Sequence, residues 1–145
     1  MITTGEWYKQ FKRVPVYFRG RYTQSGAPLG LSTHVLDTMH GTPAPGMRVS
    51  LYTTAGDSAT LVKQFVLNQD GRNPDGLLID HDSLKIGTYR LVFEVADYFQ
   101  ARGVALPQPN FLNRVSLDFG VAHPDQHYHV PLLVSPWSYS TYRGS

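Results

Sequence analysis

Apolar side chains recur at every second position through much of this chain, the spacing that gives a β-strand one buried and one open face. Val49 and Leu51 alternate with Arg48, Ser50 and Tyr52. Tyr89, Leu91, Phe93 and Val95 alternate with Arg90 and Glu94, and Val115, Leu117, Phe119 and Val121 with Ser116, Asp118 and Gly120. In the run after residue 60, Leu61, Phe65 and Leu67 are assigned to one face, while Val62 and Val66 make the other face apolar too. Further strands are expected at 31–38, 76–80, 127–135 and 138–143, which brings the total to about eight. Turn signals separate them, among them Pro43-Ala44-Pro45-Gly46, Asp70-Gly71 and Pro107-Gln108-Pro109-Asn110. Only Ala96–Arg102 lacks both alternation and Gly or Pro, so one short helix is expected there, closed by Gly103. The pattern predicts an all-β fold, a β-sandwich with a single helix.

Composition sharpens this picture. At 145 residues and 41% hydrophobic, the chain holds one core. With 13 Gly and 10 Pro it is rich in turns, and at 17% charged residues it is far from a disordered composition. No apolar run approaches the length of a membrane helix and no signal peptide is visible, so a soluble, cytoplasmic protein is expected. The absence of Cys excludes disulfides, thiolate nucleophiles and Cys-ligated metals. Net charge is +2, but residues 1–30 hold five basic groups and one acid, interleaved with Trp7, Tyr8, Phe11, Tyr17 and Phe18. Residues 1–30 are therefore set apart from a domain at 31–145. Such a segment could touch nucleic acid or an anionic membrane, but a poorly ordered extension is the favoured reading.

The polar faces of two strands carry the candidate chemistry. Alternation sets Tyr128, Val130, Leu132 and Val134 toward the core and His127, His129, Pro131 and Leu133 outward. In 31–37, Leu31, Thr33 and Val35 oppose Ser32, His34 and Leu36. His34 and His129 could thus share an outer face whose apolar neighbours call for a cover, and a second copy of the chain is the simplest one. A zinc site built from His127 and His129 with His123 or His34 is the weaker alternative, since no carboxylate stands at a usual ligand spacing. A strand histidine alone is more often a surface or hydrogen-bonded group than a catalyst. By the same measure, Arg72 after Asp70-Gly71 could be a turn residue, and Asp37 is read as an ordinary strand-end acid.

Taken together, Leu31-Ser32-Thr33-His34-Val35-Leu36-Asp37, Asp70-Gly71-Arg72, His127-Tyr128-His129-Val130-Pro131-Leu132-Leu133 and the terminal Tyr139-Ser140-Thr141-Tyr142-Arg143-Gly144-Ser145 resemble the 5-hydroxyisourate hydrolases, the enzymatic branch of the transthyretin-like proteins. The resemblance covers residues 31–145. Trp137 departs from it where Tyr or Phe is common, and residues 1–30 lie outside it.

That resemblance implies a transthyretin-like (prealbumin-like) sandwich of two four-stranded sheets, a homotetramer with active sites between dimers, and hydrolysis of 5-hydroxyisourate to 2-oxo-4-hydroxy-4-carboxy-5-ureidoimidazoline. No metal or cofactor is implied. The family's functional positions fall on His34, Arg72, His129, Tyr142 and Ser145. Chemistry agrees with the first three: a neutral imidazole can take a proton from water, a protonated one can donate to the leaving nitrogen, and a guanidinium suits a developing oxyanion. His34 and His129 are the acid–base pair, with His129 as base. Arg72 binds and stabilises, while Tyr142 and Ser145 hold the substrate or orient a catalytic group. The alternative is a transthyretin-like carrier or interaction module that binds a small ligand without turnover.

Overall fold

The computed structural model of the protein describes residues 28–144. Ser145 and most of the segment set apart at 1–30 lie outside the described residues. Two sheets face each other. The first is built on β1 (Gly30–Asp37), which pairs in parallel with β8 (Tyr128–Val134), and β8 pairs antiparallel with β9 (Tyr139–Thr141). On the free edge of β1 sit two strands of two residues each, β2 (Thr42–Pro43) and β5 (Ile79–Asp80). The second sheet has the order β4 (Ser58–Val66), β3 (Arg48–Ala55), β6 (Gly87–Phe93), β7 (Val115–Val121). The expected two-sheet sandwich is present, and the two short strands together bring the first sheet to five.

The core forms where alternation places it. Leu31, Val35, Leu132 and Val134 from the first sheet meet Val49, Leu51, Leu91, Phe93, Val115 and Leu117 from the second, all at most 6% exposed. Each such side chain contributes about 1.5–3 kcal/mol by leaving water. The helix α1 (Val95–Ala101) begins one residue earlier than expected and buries Val95, Ala96, Tyr98 and Phe99, a helical stripe rather than an alternating one. Gly103, at φ 83°, ends it in the left-handed region.

Leu61 is a correction. Alternation assigns it to the face of Phe65 and Leu67, yet it is half exposed while those two are buried. The pairing Leu51↔Lys63 is followed by Tyr52↔Leu61, so Val62 is an extra residue in β4 and the strand changes face beyond it. A β-bulge of this kind cannot be read from alternation, because it breaks the period itself. The strand expected at 76–80 shortens to Ile79–Asp80 because Asn73 and Gly76 close a turn, with the Gly76 amide donating to the Asn73 carbonyl at 3.0 Å.

Asp37 also does more than a strand-end acid. It is fully buried where β1 leaves the sheet, and Oδ2 accepts from the Tyr98 hydroxyl of α1 at 2.7 Å and from His40 Nδ1 at 2.6 Å. Its Oδ1 accepts from the His40 amide at 3.0 Å. Burial and this carboxylate push the Tyr98 hydroxyl well above the ordinary range, so it remains a donor. The contact ties the helix to the strand that carries the candidate site. Asp37→Ala is expected to lower stability by about 2–3 kcal/mol and Tyr98→Phe by about 1 kcal/mol in urea denaturation, because the first strands several donors and the second removes one. Equal, small losses would show that the node carries no weight.

Candidate active site

Strand register brings together residues that lie almost a hundred positions apart. Parallel pairing of β1 with β8 sets Ser32 beside His129 and His34 beside Pro131. Since Leu31, Thr33 and Val35 face the core, Ser32 and His34 share the outer face with His129, as the alternation predicts. This face is less bare than expected. His129 and His127 are 6% and 7% exposed within a single chain, and Pro131 is buried as well.

Arg72 reaches the same face from a loop. Asn68 Oδ1 accepts from the amides of Asp70 (2.9 Å) and Arg72 (3.1 Å), which closes the loop around Gly71. The Val35 amide then donates to the Gly71 carbonyl at 3.0 Å, docking the loop on the edge of β1. Gly71 has φ 72°, and a Cβ there would stand 2.6 Å from the Val35 carbonyl oxygen, so glycine is required twice over. Arg72 is consequently no ordinary turn residue: it is 8% exposed and its charge acts on both His34 and His129. Burial lowers its pKa to about 10, against the opposing pull of Asp70, and it remains a cation at neutral pH.

The three imidazoles are all held neutral. Burial first and Arg72 second bring His34 down to about 4, although Asp70 opposes both through its backbone and its charge. Burial, then the neighbouring His127, His34 and Arg72, bring His129 to about 3. His127 lies at about 4 through burial and Arg143, opposed by a hydrogen bond to the Gly30 backbone. Burial first and the charge of Arg72 beside it favour the neutral form of both His34 and His129. His34 Nε2 is buried and makes no hydrogen bond.

One contact lies beyond what the sequence pattern indicates. Ser32 Oγ lies 2.8 Å from His129 Nδ1 and 3.2 Å from His127 Nε2, and the two imidazole rings are nearly parallel, with centroids 6.5 Å apart. The period-two spacing of Ser32 with His34 and of His127 with His129 hints at it, but the partnership across β1 and β8 needs the register. Among the described residues no group of three or more His, Asp or Glu side chains is disposed to hold a metal ion.

The end of the chain closes over His129. The Gly144 amide donates to the His129 carbonyl at 2.7 Å in an isolated bridge that keeps the β8–β9 register. A Cβ at Gly144 would lie 2.6 Å from His129 Cδ2. Arg143 lies over Tyr128, its guanidinium 4.1 Å from the ring centre, and its Nη2 donates to the His127 carbonyl at 3.2 Å. Tyr142 is half exposed and lines a groove with Phe119, Tyr128 and Tyr139. That groove is not lined by His34, Arg72 or His129. The cluster occupies a sheet face.

Known proteins share much of this sequence and its fold. The chain is 56% identical to a 5-hydroxyisourate hydrolase of Deinococcus radiodurans over 83% of its length and 99% of that protein's. With the 5-hydroxyisourate hydrolase of Pseudomonas aeruginosa it shares 51% identity, over 81% and 94% of the two chains. Among solved structures, (S)-allantoin synthase superposes with a TM-score of 0.75 and 46% identity over 80% of this chain, which spans 43% of that longer one. Sea bream transthyretin in complex with thyroxine gives a TM-score of 0.68 at 29% identity, covering 79% of this chain and 93% of the other. The HIUase/Transthyretin family itself matches residues 31–144, from the first core residue of β1 to the glycine that bridges His129. By sequence and by fold, the chain belongs to the HIUase/Transthyretin family.

Proposed function

We propose that this chain hydrolyses 5-hydroxyisourate, the unstable product of urate oxidation, to 2-oxo-4-hydroxy-4-carboxy-5-ureidoimidazoline, and so acts in urate catabolism. The observation that carries the reading is the grouping of half-buried His34 with buried Arg72 and His129, drawn from three distant segments onto one sheet face, in a chain half or more identical to proteins named for that reaction.

The chemistry follows from the charges. His129 is neutral, so its ring can take a proton from water as the oxygen attacks a ring carbonyl. Arg72, still a cation, lies where its fork of donors can stabilise the oxyanion that forms, and the dry surroundings strengthen that interaction. When the carbon–nitrogen bond breaks, the leaving nitrogen takes back the proton first removed from water. His34 acts differently. Its hydrogen bond to the Asp70 backbone occupies one ring nitrogen and leaves Nε2 as a buried acceptor, suited to an N–H of the substrate ring. Tyr142 and Ser145 complete the substrate contacts in this reading, Tyr142 from the strand register that carries it toward Pro131.

A homotetramer with sites between dimers belongs to the same proposal. Its support is the open sheet face, on which a second copy would supply the wall that the single chain lacks. Light scattering of the eluted protein should give four times the chain mass, and a monomer would remove this part. Residence in the cytoplasm accompanies the reading.

Freshly generated 5-hydroxyisourate, followed by ultraviolet absorbance, should decay faster with the protein than without it. A rate equal to the spontaneous one would favour the carrier alternative. His129→Ala and Arg72→Ala should each lower kcat/KM by about 10²–10⁴-fold with the melting temperature little changed. Because burial holds His129 at about 3 and His34 at about 4, kcat/KM should stay level from pH 8 to 5 and fall only in more acid solution. An acid limb centred near 6.5 would contradict the neutral, buried rings. Their contribution to stability is full above pH 6.5, where folded and unfolded rings are both neutral. It drains away as pH falls toward 3–4, since the unfolded chain takes up the protons first.

A further inference from the structure

We propose that Ser32 and His127 form a proton relay behind His129, so that the base of the reaction is a hydrogen-bonded chain of three side chains rather than one imidazole. The inference rests on the hydrolase reading and extends it inward, to two residues that need not touch the substrate.

The geometry is that of a chain. Ser32 Oγ is 2.8 Å from His129 Nδ1 on one side and 3.2 Å from His127 Nε2 on the other, and all three side chains are buried. A serine hydroxyl donates one hydrogen bond and accepts others, so it can link two imidazoles only in a directional sequence. In the relay the His127 proton sits on Nδ1, so Nε2 accepts from the serine. Ser32 Oγ then accepts from His129 Nδ1–H, and His129 Nε2 carries a lone pair toward the substrate side. This order fixes both the ring orientation and the tautomer of the base.

The relay also moves charge. As a water O–H bond breaks and its proton joins His129 Nε2, the Nδ1–H bond breaks and that proton passes to Ser32 Oγ. The serine releases its own proton to His127 Nε2. The electron pair of the water oxygen forms the new bond to the carbonyl carbon, and the three side chains together have gained one proton. The positive charge rests on His127, which faces Arg143, rather than on His129, whose field includes Arg72. Displacing the proton by one residue takes it out of the field of Arg72. Running the sequence backward returns a proton from His129 Nε2 to the leaving nitrogen. Ser32 and His127 are positioning residues, acting through His129.

The test uses the full chain and variants of both residues. Ser32→Ala should reduce kcat by about 10–100-fold with KM changed less than threefold, and Ser32→Thr should recover most of the loss. His127→Gln can still accept from Ser32 but cannot take up its proton, so it should lower kcat comparably and alter the pH profile of kcat. Ring ¹⁵N shifts of His129 should show the Nδ1–H tautomer in the unaltered protein and a mixture in Ser32→Ala. Melting temperatures check that the variants fold. If the unaltered chain accelerates 5-hydroxyisourate decay while folded Ser32→Ala and His127→Gln keep its kcat and pH profile, the relay is overturned and the hydrolase reading stands. If the unaltered chain is itself inactive, the hydrolase reading fails, and a His129 tautomer unmoved by Ser32→Ala would overturn the relay separately.

Discussion

The parallel pairing of β1 with β8 is the constraint on which the rest of the molecule depends. One strand comes from the start of the domain and the other from near its end, and no hairpin enforces their meeting. What holds them in place is two-sided. Inward, Leu31, Val35, Leu132 and Val134 bury against the second sheet, and a slip of one residue would turn all four into water. Outward, the same register aligns Ser32 with His129. Core packing and site geometry are thus one choice of register, and neither can change alone.

Around that pair the remaining elements act as supports. The Asn68–Arg72 loop docks on β1 through Val35, and the Asp37 node fastens α1 to the strand's far end. The bridge at Gly144 covers His129 from the other side. Each is a polar contact to backbone or to a buried charge, the kind that fixes position rather than supplying bulk stability. The consequence is a cluster of three imidazoles and a guanidinium dry enough to keep the rings neutral and the arginine charged.

Much of this is legible in the order of residues along the chain. Alternation separates Tyr128, Val130, Leu132 and Val134 from His127 and His129 because a strand with one buried face must show it. The motifs around His34, Arg72 and His129 carry the family. Leu61 is misplaced by alternation because a bulge removes the very period that such a pattern consists of. Asp37 looks ordinary in sequence because its partner Tyr98 lies 61 residues away on a helix, and no local pattern links them. The direction of the histidine pKa shifts is hidden from the sequence for a similar reason. Charge on a ring depends on burial and on what faces it, and both are set by pairing across the sheet. Ser32 carries no signal of its own although it stands two residues from His34, since its partners belong to the other strand.

The same pairing sets a schedule for the growing polypeptide. His34 leaves the ribosome roughly 95 residues ahead of His129, which at about 5–20 residues per second is on the order of 5–20 s. Through that interval the core-facing Leu31 and Val35 have no β8 to lie against, and the edge of β1 that will receive it is open, a template for stray strands. Biosynthesis of this protein therefore includes a waiting period, in which the first strand must be kept soluble until nearly the last one arrives.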